Sequence, residues 1–265
     1  MAQHATARSD AARCIQQALT LHREGRLIEA DALYGAALAA DPQHFDALHL
    51  RGVLRHQQGQ SAEALRLVAA ALKAQPRSPD VLSNYGVILD ALKRHEEALE
   101  NFDKVLALRG SDAVAHYNRG NALKGLGRGT AALASYDRAL ALKPDYVDAL
   151  YNRGNTLTVL RRHQDALADY DEVLALRPRH VAAANRRGNA LVALDRHDQA
   201  LAAYDAALQI APDNAEALNN RSVALVKLEK FDEALRSCDR ALAVKSDYAD
   251  AHYNRGNALR ALGRL

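Results

Sequence analysis

A chain of 265 residues, 25% charged and with a formal net charge of +3, has the composition of an ordinary soluble protein, and its charge is too small to argue for nucleic acid. Ala and Leu dominate the 49% of hydrophobic residues, so almost no strand is expected, and no apolar run approaches the roughly 20 residues of a membrane span. The opening segment has no apolar core of a secretion signal, and Cys14 and Cys238 stand in no metal-like spacing, so a reducing cytoplasm is the expected location, with no cofactor and no metal.

Residues 1–10 read as an N-terminal tail. From 11 onward the chain repeats itself every 34 residues: 11–44, 45–78, 79–112, 113–146, 147–180, 181–214 and 215–248, then a half unit, 249–265. One column of this register holds Gly52, Gly86, Gly120, Gly154, Gly188, Ser222 and Gly256. A second holds Ala30, Ala64, Ala98, Ala132, Ala166, Ala200 and Ala234. There are no insertions. The first unit departs most, with Ala18 in the Gly column and Asp31 where the others have Leu, and is expected to be a cap.

Each unit predicts two helices. In 113–146 these run about Val114–Leu126 and Thr130–Leu142, with apolar residues at i, i+3, i+4 and i+7. Pro42, Pro76, Pro144, Pro178 and Pro212 mark the breaks between units, and Asp46, Asp80, Asp148, Glu216 and Asp250 open the helices that follow. Gly120 and Ala132 are then the small residues that let paired helices approach, which outweighs the ~1 kcal/mol that Gly costs inside a helix.

A 34-residue unit with Gly in its first helix, Ala and an aromatic in its second and Pro at the junction resembles the tetratricopeptide repeat. The resemblance covers 11–265. It implies an all-α, right-handed α-solenoid of seven helix–turn–helix repeats and a terminal single helix, whose first helices line a concave inner wall.

Two asparagine columns lie on that wall. One reads Asn84, Asn118, Asn152, Arg186, Asn220, Asn254; three residues on, the other holds Asn121, Asn155, Asn189 and Asn257, with Val87 and Val223 in two units. Spacing of i, i+3 puts both on one helical face, expected to point away from the second helices. An amide offers donors and an acceptor, so such ladders suit an extended peptide; the alternative is that each Asn bonds a neighbour and ties repeats together. Tyr117, Tyr151 and Tyr253 stand beside the ladders, as apolar contacts for a ligand or as core.

Two sub-types of the family are similar in part. In one, a carboxylate clamp uses Lys, Asn, Asn, Lys and Arg over three first helices; Asn121, Asn152 and Arg186 match, but Tyr117 and Ala182 stand where Lys is required. The other is the Asn-laddered array ahead of bacterial O-GlcNAc transferase-like catalytic domains, and no such domain is present here.

Asp103, Asp137, Asp171, Asp205 and Asp239 share a register in the second helix, and sixteen residues after each lies Arg119, Arg153, Arg187, Arg221 or Arg255. These are expected to bridge neighbouring repeats. "GLGRGT" (125–130) has the wrong spacing for a phosphate loop and reads as a helix–helix turn. His95, His163 and His197 recur at that turn and are expected to be exposed. Along the same edge, Arg26, Arg94, Arg128, Arg162, Arg196, Lys230 and Arg264 form a basic row, read as solvated turn residues in preference to a positive binding edge.

The half unit 249–265 keeps Leu259 and Leu262, which elsewhere pack on a second helix. It reads as part of a longer array or as an end that docks on another copy, giving self-association. The expected function is a non-catalytic scaffold that binds an extended protein or peptide segment, with neither a membrane nor nucleic acid as partner. The alternatives are a substrate-recruiting arm of a glycosyltransferase and a self-associating structural array.

Overall fold

The computed structural model describes residues 2–264, and their side chains from Asp10 onward; among them there are fifteen helices and no strand. One compact unit, up to Leu142, holds α1 (Ala2–Arg23), α2 (Leu27–Ala40), α3 (Phe45–Gln57), α4 (Ser61–Ala74), α5 (Pro79–Ala91), α6 (His95–Leu108), α7 (Ala113–Gly125) and α8 (Gly129–Leu142). A second, from Lys143, holds α9 (Val147–Val159), α10 (His163–Leu176), α11 (Val181–Ala193), α12 (His197–Ile210), α13 (Ala215–Lys227), α14 (Phe231–Val244) and α15 (Ala249–Ala261). Helix α1 begins within the segment 1–10 expected as a tail, since no Gly or Pro precedes Glu24 to stop it.

Odd-numbered helices are the first helices of the repeats and even-numbered ones the second. Within each unit, successive first helices touch one another. Among the described residues of either unit, successive second helices do not. The first helices therefore form the inner wall of each stack, where the asparagine columns lie.

Helix pairs close on small residues. A Cβ on Gly86 would lie 2.7 Å from the Phe102 ring, on Gly120 2.6 Å from Tyr136, and on Gly154 2.8 Å from Tyr170. Only hydrogen fits there. In the first repeat Ala18 takes this place, and Tyr34 is buried in the same cluster.

The turn inside each repeat ends on a left-handed residue. Gly25, Gly59, Gly127 and Gly263 fill that place in four repeats, but Lys93, Arg161, Asp195 and Glu229 adopt φ of 59–61° at the same register in the others. A Cβ makes this conformation costly, so these four residues are held by the helices on either side.

Four of the expected inter-repeat ion pairs form: Arg119–Asp103 at 2.6 Å, Arg187–Asp171 at 2.5 Å, Arg221–Asp205 at 2.6 Å and Arg255–Asp239 at 2.6 Å. Several of these arginines also reach forward into their own repeat. Arg119 donates to Ser135 Oγ at 2.8 Å and Arg221 to Ser237 Oγ at 2.7 Å, while Arg153 holds Asp169 at 2.6 and 2.9 Å. Where Gly35 leaves the column without an acid, Arg51 turns to Asp31, one helical turn earlier, at 3.0 Å; Arg55 shares that carboxylate at 2.6 Å. The irregular Asp31 of the first repeat is therefore a displaced member of the same bridging set.

The turn histidines are not exposed. His95 Nδ1 donates to Asp90 Oδ1 at 2.7 Å and its ring lies against Gly125, and the His197 side chain is only 14% exposed. They pack because each begins a second helix that leans on the end of the next repeat's first helix. The basic row is largely neutralised: Arg26 pairs with Glu29, Arg94 with Glu97 and Arg162 with Asp165 along the chain, and Arg128 with Glu96 and Arg264 with Asp232 across repeats.

Candidate functional site on the inner wall

All ten residues of the two columns lie on first helices, nine of them half-buried and Arg186 exposed. One expectation needs correction. The second column does not point away from the second helices: Tyr136 donates to Asn121 Oδ1 at 2.8 Å, Tyr170 to Asn155 Oδ1 at 2.9 Å and Tyr204 to Asn189 Oδ1 at 2.7 Å. The reason is burial. These three rings are at most 1% exposed, and a buried hydroxyl without a partner costs about 1–3 kcal/mol. In the third repeat the ring is Phe102 and the matching column residue is Val87; Cys238 likewise faces the register of Val223. Tyr34, with Leu19 at that place, is left with a buried hydroxyl that has no partner. This fifteen-residue covariation was visible in the sequence as a polar pair replaced by an apolar pair.

Burial pushes the Tyr170 phenol up to about 12, moderated by a hydrogen bond with Thr158, and raises Tyr204 further. Both hydroxyls remain donors through neutral pH, which fixes the orientation of the amides. With their oxygens facing the tyrosines, the amide nitrogens of Asn155 and Asn189 have no protein partner among the described residues and reach solvent.

The first column ties successive first helices together. Asn220 Nδ2 donates to Asn185 Oδ1 at 3.2 Å and Asn189 Oδ1 at 3.1 Å, and Asn254 Nδ2 to Asn219 Oδ1 at 2.9 Å. Asn84 Nδ2 reaches His49 Nε2 at 2.7 Å, and burial lowers the pKa of that imidazole, which keeps it an acceptor. Asn185, Asn219 and His49 were not expected members of the site; their signal was a step of 35 residues, one more than the repeat. Asn118 and Asn257 have no side-chain hydrogen bond among the described residues.

Arg186 interrupts the first column. Burial works against its charge, but a hydrogen bond to the Tyr151 hydroxyl and Glu216, 3.7 Å away, outweigh it and raise its pKa. Tyr117 and Tyr151 are half-buried and lie 6.2 Å, centroid to centroid, from Tyr136 and Tyr170. Tyr253 is 70% exposed. A cavity of about 510 Å³ lies elsewhere, among Asp205, Arg221, Glu233, Arg236 and Arg240, beside one of the inter-repeat bridges.

Within each unit, then, antiparallel helix pairs stack in constant register, with one polar wall built only from first helices. That is the architecture of a helical-repeat solenoid. The chain belongs to the tetratricopeptide repeat family: family models described as tetratricopeptide repeat match residues 55–113, 117–175 and 157–215, and 21–83, and one described as TPR repeat matches 223–263. No curated protein matches it. Among solved structures it is similar to YrrB, described as a TPR protein with an unusual peptide-binding site (24% identity, 71% of this chain and 97% of that one, TM-score 0.63). It is also similar to PilW, a type IV pilus biogenesis factor (22%, 78% and 96%, TM-score 0.73), and to a tetratricopeptide repeat protein from Parabacteroides merdae (16%, 95% and 99%, TM-score 0.69). These likenesses establish the fold. No helix among the described residues is long and apolar enough to cross a membrane.

Proposed function

We propose that this chain is a non-catalytic scaffold that holds an extended peptide against the inner walls of its repeats. The observation that carries this reading is the polarity of the second column. The tyrosines engage the amide oxygens of Asn155 and Asn189, and the nitrogens are left as accessible donors on successive first helices. Asn220 spends its nitrogen on Asn185 and Asn189 and leaves its oxygen to accept. A peptide group needs one donor and one acceptor, and this wall supplies both without reading side chains. The peptide-binding site named for YrrB is consistent with this use of the fold.

A second reading is a structural array whose asparagines bond only to each other, favoured by the Asn220–Asn185 and Asn254–Asn219 bonds. Peptide-array screening followed by fluorescence anisotropy separates the two. Scaffold binding predicts a ligand whose affinity falls about three- to ten-fold in Asn118→Ala, a residue with no side-chain hydrogen bond to lose among the described residues. The structural array predicts no ligand on this wall.

A further inference from the structure

We propose that the cleft between α12 and α14 is a second binding site, one that takes an acidic side chain of a partner's peptide segment. No residue of the asparagine columns lines it, and the inference does not rest on the peptide reading above. Helices α12 and α14 do not touch, and the gap between them, about 510 Å³, has Arg221 of α13 in its lining. Around Arg221 the charges are settled. It holds Asp205 at 2.6 Å and Ser237 Oγ at 2.7 Å, with Glu233 3.9 Å away. On the α14 wall they are not. Arg236 has no hydrogen bond or ion pair among the described residues, and Arg240 donates only to the Pro212 carbonyl, at 3.0 Å. Three guanidinium groups therefore face two carboxylates. The surplus is one positive charge, which one carboxylate balances and a phosphate dianion would overshoot.

This wall is not a product of the repeat. The two positions are Ala202 and Ala206 one repeat earlier and Ala168 and Glu172 before that, and no other repeat has a basic residue at both. Like charges four residues apart destabilise a helix, so the pair works against α14 until an anion lies between them. Their Cβ atoms are then about 5–6 Å apart, close enough for both guanidinium groups to donate to one carboxylate. Leu208 and Gln209 line the same cleft. They offer an apolar surface for the methylene stem of an acidic residue and an amide for its peptide group. That is why the occupant is a peptide residue and not a free acid.

The experiment titrates the isotope-labelled chain with a capped Gly/Ser peptide bearing one central Glu, with its Gln counterpart, with glutarate and with inorganic phosphate. The readout is the Nε–H resonances of Arg236 and Arg240. The Glu peptide is expected to shift both saturably, and the Gln peptide neither. Glutarate and phosphate bind at least about three-fold more weakly than the Glu peptide, lacking its peptide group. Arg236→Ala and Arg240→Ala each weaken the Glu peptide about ten-fold, whereas Arg138→Ala, which removes the lone arginine at the Arg240 register of α8, leaves it unchanged. The urea midpoint of Arg236→Ala stays the same or rises, because a repulsion is relieved. The proposal is overturned if neither resonance shifts, if the Gln peptide, glutarate or phosphate binds as tightly as the Glu peptide, or if binding survives Arg236→Ala. A lower urea midpoint in Arg236→Ala also overturns it, since the arginine then serves the fold.

Discussion

The Tyr204 hydroxyl donates to Asn189 Oδ1 across 2.7 Å, and Asn220 donates to the same oxygen at 3.1 Å. One amide thus satisfies a buried phenol of its own repeat and ties the next repeat's first helix. Asn189→Val is expected to destabilise the protein by about 1–3 kcal/mol, because the phenol is left unpaired. Adding Tyr204→Phe, which recreates the Val87–Phe102 arrangement, recovers part of that loss. Urea denaturation of both single variants and the double variant measures the coupling; strict additivity would contradict it.

Two glycines of one column predict opposite signs. Gly188 lies against the Tyr204 ring, so Gly188→Ala forces the pair apart and costs about 1–3 kcal/mol. Gly256 faces open space within α15, so Gly256→Ala gains close to the ~1 kcal/mol by which Ala exceeds Gly in helices. Thermal denaturation of the two variants is the check.

At the turns, Glu229 holds φ 59° where other repeats have Gly. Glu229→Gly removes a left-handed strain of about 1–2 kcal/mol and adds about 0.4–1 kcal/mol of unfolded-chain entropy, so a net gain of about 0.5–1 kcal/mol is expected. A lower urea midpoint in the variant would refute it.

Asp31 is the common acceptor for Arg51 and Arg55, all three being mostly buried. Asp31→Leu restores the residue type of the other repeats yet is expected to destabilise by about 1–3 kcal/mol, since the Arg51 guanidinium loses its acceptor and Arg55 keeps only Gln60 and Glu63. Gly35→Asp, added to it, returns the acid to the regular column and recovers the Arg51 share. Comparison of the single and double variants by urea denaturation tests this.

Tyr34 and Tyr170 are pushed up to about 12 by burial. A folded-state pKa above the unfolded value of about 10 means that the neutral phenol is favoured in the fold. This contribution is whole below pH about 10 and is lost as the pH climbs toward the folded value. Denaturation midpoints should therefore fall from about pH 10 upward, and less steeply in Tyr170→Phe.

The 34-residue register, the helix pairs and their close approach at Gly and Ala could be read from the chain alone, because each depends on spacing along one helix or on the constant offset to the next. The Arg–Asp bridges followed from the same offset. What the asparagines do could not be read in this way. Spacing of i, i+3 puts Asn152 and Asn155 on one face but leaves open how the amide plane turns about its final torsion, and that depends on where a neighbouring hydroxyl lies. The packing of buried tyrosines turned the Asn155 and Asn189 oxygens inward and their nitrogens outward. The cross-helix step from Asn220 to Asn185 was likewise set by the rise and tilt between stacked helices, as were the burial of His197 and the pairing of Arg128 with Glu96. Periodicity is a property of one dimension and survives in the primary structure. The choice of hydrogen-bond partner is made in three, by the few groups that packing brings within about 3 Å of one another.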